Sequence, residues 1–236
     1  LIKTDRKKKL TETIRLEDID CSIAVKKATA ILESGGLVVY PTDTSYGLAC
    51  DPRQSNALER LFEAKQRDRR FGVPLLFSDE SQCESFHLFT ELERVLTRLF
   101  WPGMLTLIVE ANESVPDHIT GGRSSIAIRV PDHIVPRSIA KELGGPIVGT
   151  SANLSGGLSP FDVSMSKEQL GDKIDLYIDG GPSRIQKNST IIGVEKSGSI
   201  KVYREGAISV EGLTEQLRID SDTEGLWTIR ITQADL

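Results

Sequence analysis

The sequence has little of what enzymes commonly use for covalent or metal chemistry. Its 236 residues include three cysteines and three histidines. Cys21, Cys50 and Cys83 form no C-x-x-C pair, which argues against a zinc site or a disulfide framework and for a reducing compartment. His87, His118 and His133 fall in separate loops of the predicted layout and read as surface residues rather than ligands. No H-E-x-x-H occurs, and neither G-x-x-x-x-G-K-[ST] nor G-x-G-x-x-G behind a strand is present, so neither standard nucleotide-binding loop can be assigned. The longest apolar runs are strand-sized, too short to span a bilayer, and the N-terminus shows no apolar signal-peptide core. With a net charge of -5 the chain is not a basic nucleic-acid coat, so any RNA contact has to be local. The basic run "RKKK" at 6–9 reads as a solvated tail. A content of 39% apolar and 27% charged residues fits a globular protein, read here as cytoplasmic with no membrane partner.

What is present is an interleaving of helix and strand patterns. Residues 22–34 place Ala24, Ala28, Ile31 and Leu32 on one helical face, stopped by Gly35-Gly36. "LVVY" at 37–40 is an apolar run of the kind buried on both faces of a sheet. Residues 56–65 predict a helix capped by Asn56 with Glu59 reaching back, and 73–77 a strand. Thr90 and Glu93 form a capping-box pattern ahead of a helix that stops at Trp101-Pro102-Gly103. Strands follow at 105–110 and 125–130, a helix at 134–143, and strands at 146–150, 175–179, 189–195 and 199–205. The last two suggest a hairpin through Ser197-Gly198. Residues 209–219 predict a short helix. The expected architecture is one α/β domain over 20–215 with a twisted, mixed parallel and antiparallel sheet and flanking helices. Residues 1–19 are read as an N-terminal extension and 216–236 as a polar C-terminal tail.

Four stretches could carry chemistry. "YPTDTSYGL" at 40–48 sets Thr42, Asp43, Thr44 and Ser45 at the end of a buried strand, where α/β proteins bind ligands. The same hydroxyls could instead cap a turn. "KQRDRR" at 65–70 puts four cations in six residues, enough to neutralise a polyphosphate, or else forms a solvated charge run. "GTSANLSGGLSP" at 149–160 combines glycines, which let backbone N–H groups approach an anion, with Ser151, Asn153, Ser155 and Ser159. It fails the G-x-S-x-G pattern of a serine hydrolase at Asn153. "STIIGV" at 189–194 and "VYREG" at 202–206 put Ser189, Thr190 and Arg204 at strand ends.

Taken in order, "YPTDTSYGL", Lys65-x-Arg67, "WPGMLTL" (101–107), "IRVP" (128–131), "PIVGTSANLSGGLSP" (146–160), "DGG" (179–181), "STII" (189–192) and "YREG" (203–206) resemble the YrdC/Sua5 family of threonylcarbamoyl-AMP synthases. The resemblance implies a mixed sheet around a large concave pocket. It implies a nucleotidyltransferase that makes threonylcarbamoyl-adenylate and pyrophosphate from L-threonine, bicarbonate and ATP with Mg²⁺. The product feeds a tRNA threonylcarbamoyltransferase machinery that modifies A37. By similarity Lys65 and Arg67 hold the phosphates and act in catalysis, with Arg69 as a further phosphate contact. Thr42, Arg129 and Ser189 bind threonine, Arg129 through its carboxylate. Ser125, Ser151, Asn153, Ser159 and Arg204 contact ATP. No metal ligand is assigned to a protein side chain, since phosphates hold Mg²⁺ largely by themselves.

Two departures stand out. The family usually reads K-G-R-P, then P-L after a short step. Here Gln66 and Asp68 break the word and Pro74-Leu75 comes about two residues late, which leaves the register of Arg69 and Arg70 open. The chain also ends too soon for the second C-terminal domain of Sua5-type members, so it reads as the short, YrdC-like form or as a piece of a longer chain. The competing readings are a non-catalytic double-stranded RNA-binding module and another carbamoyl-adenylate-forming enzyme. A weak direct contact with tRNA is left open.

Overall fold

The computed structural model describes residues 11–113, 115–220 and 231–233. In chain order these form β1 (Glu12–Arg15), α1 (Cys21–Glu33), β2 (Val38–Tyr40), β3 (Gly47–Ala49), α2 (Ser55–Lys65), β4 (Leu75–Leu76), α3 (Glu80–Cys83), α4 (Glu91–Phe100), β5 (Leu105–Glu110) and α5 (Asp117–Thr120). There follow β6 (Ser125–Arg129), α6 (Ile134–Glu142), β7 (Ile147–Val148), β8 (Thr150–Ser151), α7 (Val163–Leu170), β9 (Leu176–Asp179), β10 (Thr190–Val194), β11 (Ile200–Arg204), α8 (Val210–Ile219) and β12 (Ile231–Gln233).

The mixed sheet expected from the sequence is realised as two. One runs β1-β9-β2-β3-β8, the other β12-β11-β10-β5-β6-β4-β7, and each mixes parallel with antiparallel pairs. The predicted strand at 146–150 is divided between them. β7 pairs with β4 in one sheet and β8 with β3 in the other, with Gly149 as the single residue between. A Cβ at Gly149 would lie 2.3 Å from Leu76 Cγ, so only glycine lets the chain cross here without displacing its neighbour. The opening word of the site is a hairpin. Val38 faces Ala49, Val39 faces Leu48 and Tyr40 faces Gly47, and residues 41–46 make the loop. The strand at 47–49 carries no mark in the sequence, because its tripeptide is too short to show a period.

Local chemistry explains most helix ends. Asp20 accepts a 2.7 Å bond from the Ser22 N–H and starts α1, whose face Ala24, Ala28 and Leu32 is buried under α6. The Thr90–Glu93 capping box forms as the sequence suggests. The predicted Asn56 cap does not. α2 starts one residue earlier, after Gln54, whose side chain donates to the Leu32 and Glu33 carbonyls at the end of α1. A tertiary contact thus sets this helix start, and Glu59 pairs with Arg69 instead of capping. Helix α7, capped by Asp162, is an element the sequence pattern does not predict.

The segments read as extension and tail each add an edge strand: β1 lies parallel to β9, and β12 parallel to β11. In β1 only Ile14 is partly buried, so no in/out alternation marks that strand in advance. The "RKKK" run lies outside the described residues. No helix among the described residues is long and apolar enough to cross a membrane. His87 is not a surface residue: it is 8% exposed and sits between β5 and the start of α4.

Candidate active site

A cavity of about 420 Å³ opens between the two sheets, within the range of small-molecule sites. The words recognised along the sequence meet around it in pairs. Arg129, at the end of β6, is 6% exposed and joins two other words to its own. Its Nε donates to the Gly103 carbonyl of "WPGM" at 2.7 Å. One terminal nitrogen donates to Thr44 Oγ1 at 3.0 Å and the other to Asp43 Oδ1 at 2.6 Å, both in "PTDT". Thr42 Oγ1 in turn accepts from the Thr44 N–H and donates to the Ser45 carbonyl, at 2.9 and 2.7 Å. The hydroxyl surplus therefore does both things the sequence allowed: it shapes the loop and it faces the cavity.

A second pairing joins "STII" to "YREG". Arg204 donates through Nε and a terminal nitrogen to the Ser189 carbonyl at 3.1 and 2.9 Å, and Ser189 Oγ lies 2.9 Å from Thr106 Oγ1. A third joins "DGG" to the hairpin loop: Tyr46 OH donates to the Gly181 carbonyl at 2.6 Å and accepts from the Gly180 N–H. A fourth links Asn188 Nδ2 to Ser159 Oγ at 2.9 Å.

The cavity wall contains Thr42, Arg67, Ser125, Arg129, Ser151, Ser159, Ser189 and Arg204 from among the expected site residues. Lys65, Arg69 and Asn153 are placed elsewhere. Lys65 is 1% exposed, and its Nζ donates to the carbonyls of Ser151 and, at 2.7 Å, of Asn153. Burial, followed by the charge of Arg67, brings its pKa down to about 7. Even as a neutral amine it keeps two N–H groups for those two carbonyls. Its position is that of a brace beneath the Ser151 loop, not of a cation on the wall. Asn153 is committed to the same loop, donating to the Gly157 carbonyl at 2.7 Å and accepting from Ser151 Oγ at 2.5 Å. Arg69 points away and pairs with Glu59 on α2, because the extra residues before Pro74 form a single 3-10 turn that swings it outward.

Gln66 explains one departure from the family word. It has φ +52°, the left-handed region that glycine enters freely and other residues enter at a cost of about 1 kcal/mol.

Sequence reasoning missed several wall residues. For Thr44 the sequence leaves both turn and ligand open, and the structure puts it on the wall. Phe71 belongs to the displaced stretch after "KQRDRR", and Arg123 lies just ahead of β6 in "TGGRSS". A cation directly before a predicted strand was the available signal for Arg123, but nothing local said which way it points.

The wall thus carries four guanidiniums, Arg67, Arg123, Arg129 and Arg204, many hydroxyls and no carboxylate. Burial, and then the neighbouring Arg123, lower Arg67; burial, and then Arg129, lower Arg204. Among the described residues no group of three acidic, histidine or cysteine side chains could hold a metal ion, and no histidine or cysteine faces the cavity. Such a wall suits polyanions and a displacement without a covalent intermediate.

Comparison with known proteins agrees with this geometry. The Sua5/YciO/YrdC family model, described as telomere recombination, matches residues 30–206. A Mycobacterium tuberculosis protein is 34% identical over 214 residues, 90% of this chain and 98% of its own. The threonylcarbamoyl-AMP synthase of Halorhodospira halophila is 33% identical over 184 residues, 78% of this chain and 92% of its own. The crystal structure of Pyrococcus abyssi Sua5 complexed with L-threonine superposes with a TM-score of 0.82 at 32% identity, covering 94% of this chain. This chain spans 62% of that protein's length. With its words meeting around one arginine-lined cavity and its sequence matched over most of its length, the chain belongs to the Sua5/YciO/YrdC family.

Proposed function

We propose that the chain is an L-threonylcarbamoyladenylate synthase, a nucleotidyltransferase that takes L-threonine, bicarbonate and ATP to threonylcarbamoyl-AMP and pyrophosphate. The observation that carries this reading is the division of the cationic wall. Arg129 is buried, paired with Asp43 and bonded to Thr44, whose hydroxyl lies against that of Thr42; a single guanidinium among hydroxyls suits one amino-acid carboxylate. The remaining arginines have no carboxylate on the wall beside them, which suits a polyphosphate. Relatives named threonylcarbamoyl-AMP synthase, and the family structure complexed with L-threonine, support the same substrates.

The reaction asks for positioning rather than a nucleophile. The threonine nitrogen bonds to the bicarbonate carbon, water is lost, and a carbamate remains. A carbamate oxygen then attacks the α-phosphorus as the bond to the β-phosphate oxygen breaks and pyrophosphate leaves. Both reactants are anionic, so guanidiniums near the transferring phosphate lower their mutual repulsion and the charge of the leaving group. Enclosure matters because the carbamate decomposes in bulk water, and adjacency converts a bimolecular step into a local one. Ser125, Ser151, Ser159 and Ser189 supply hydroxyl donors around the same space. Magnesium enters on the triphosphate as part of the substrate, bound mainly by phosphate oxygens. A tRNA threonylcarbamoyltransferase would consume the adenylate at A37, in the cytoplasm, with any tRNA contact by this chain weak and local.

The test is pyrophosphate release measured with MgATP and bicarbonate, in the presence of each amino acid in turn. Release dependent on threonine is expected. Folded protein that releases none with threonine would sink the reading.

A further inference from the structure

Two loops cross at the cavity mouth. One, residues 66–74, joins α2 to β4; the other, 121–124, joins α5 to β6. The Val73 N–H donates to the Ile119 carbonyl at 2.9 Å. Gly72 and Gly121 have φ of +56° and +69° at the crossing. A Cβ on Gly72 would meet the Thr120 carbonyl oxygen at 2.6 Å, and one on Gly121 would meet the Gly72 nitrogen at 2.7 Å. The backbones are therefore in direct contact, and only glycine allows it.

Three side chains leave this crossing for the cavity: Arg67 and Phe71 from the first loop, Arg123 from the second. The Arg67 and Arg123 Cζ atoms lie 5.9 and 5.6 Å from the centroid of the Phe71 ring, within reach of a cation–π attraction. Phe71 is 57% exposed, so it holds this place without the burial that normally anchors a phenylalanine. Arg67 donates to the Gly72 carbonyl at 3.1 Å, and its buried Nε has no partner. Neither guanidinium makes an ion pair among the described residues, whereas nearby Arg69 and Arg70 pair with Glu59 and Asp68. Two like charges gathered on one ring repel each other, and the repulsion is relieved when a multivalent anion joins them.

We propose that Arg123 is a second phosphate-binding arginine, held with Arg67 by the Phe71 ring to grip the β- and γ-phosphates of ATP and the pyrophosphate they become. The assignment of ends follows from depth. Arg129 is buried with Thr42 and Thr44, so the reacting α-phosphate belongs on the inner side, near the carbamate. Arg123 is exposed, so it meets the end of the polyphosphate that leaves. The proposal rests on the synthase reading for the name of its substrate, but the grip can be measured without turnover.

The experiment titrates the full chain with pyrophosphate by calorimetry, without other substrates, for wild type, Arg123→Ala, Arg123→Lys, Phe71→Ala and Arg70→Ala. Loss of one charge-assisted bidentate contact is expected to weaken binding at least ~10-fold in Arg123→Ala. Arg123→Lys, which keeps the charge but not the fork, should fall between, and Phe71→Ala should weaken binding a few-fold. Arg70→Ala removes a charge from the same loop that is already paired with Asp68, and should leave affinity unchanged. Unaltered affinity in Arg123→Ala, a loss no larger than that of Arg70→Ala, or no binding by wild type overturns the proposal. Binding lost in Arg123→Ala, with no threonine-dependent turnover in wild type, keeps the clamp and removes the synthase reading. Normal turnover, with Arg123→Ala binding pyrophosphate as wild type does, removes the clamp and keeps the reading.

Discussion

At Lys65 the decisive question is whether an ammonium serves the ligand or the loop. The side chain is buried, and its Nζ is occupied by the carbonyls of Ser151 and Asn153, on the stretch that supplies Ser151 to the cavity. Lys65→Met keeps the length of the side chain and removes the donor. A buried acceptor left unpaired costs about 1–3 kcal/mol, so the variant should lose at least that much in urea unfolding. Turnover should fall with it as the loop relaxes. A variant as stable as wild type but inactive would instead place the amine on phosphate, as the family resemblance implies. The same contrast separates the arginines: Arg67 faces the cavity, while Arg69, two residues on in the same basic run, is drawn off by Glu59. A one-dimensional charge run could not make that distinction.

At the element scale, the start of α4 carries a titratable clasp. His87 Nδ1 lies 2.8 Å from the Glu110 carbonyl at the end of β5, and Nε2 lies 2.9 Å from Glu93 Oε2. Glu93 also accepts from the Thr90 N–H and hydroxyl in the capping box. Both ring nitrogens face acceptors, so the doubly protonated imidazolium satisfies the site best. Burial opposes that charge, but the hydrogen bond and the carboxylate of Glu93 outweigh it, and the pKa of His87 is raised above 6.5. A raised folded pKa means stabilisation that is fully present below about pH 6.5 and lost as pH rises through the folded value. His87→Gln should be less stable than wild type by ~1–3 kcal/mol at pH 6, from the acceptors it leaves unpaired. The gap should narrow at pH 8.5. Urea unfolding at the two pH values checks this; a gap independent of pH would show that folding leaves the histidine pKa unchanged, and a gap that widens at pH 8.5 would show that the fold holds it neutral. The capping box was readable from Thr90 and Glu93 alone, because capping is a contact three residues long. The histidine was not, because its partner Glu110 lies on another element.

For the whole molecule, the critical position is the single residue between β7 and β8, where the chain passes from one sheet to the other. Gly149 carries the chain from β7 to β8 and lies on the cavity wall with Leu76. In Gly149→Ala the new methyl has to push Leu76 aside. Overpacking of this kind costs about 1–3 kcal/mol, and the displaced wall should raise KM for both ATP and threonine. A thermal melt with steady-state kinetics tests it, and full stability with unchanged KM values would show that the two sheets move apart freely. The site depends on this crossing because its ligand groups come from both sheets: Thr42 and Ser151 from one, Arg129 and Arg204 from the other.

The sequence by itself determined the Thr90–Glu93 capping box, the buried strands at 38–40 and 105–110, and the order of the family words. Each is a local pattern, set by hydrogen bonds and side-chain periods that span a few residues. It also determined that the site would be cationic and hydroxyl-rich, since residue type alone carries that chemistry. Only the tertiary structure decided the division into two sheets, the edge strands β1 and β12, and the commitment of Lys65 and Asn153 to bracing. It alone brought Arg123 to Phe71. These outcomes depend on partners far apart in the chain: Lys65 on Ser151, Arg204 on Ser189, and Arg129 on Asp43 and Gly103. A side chain's direction is set by the packing of the elements around it, and no local pattern encodes that.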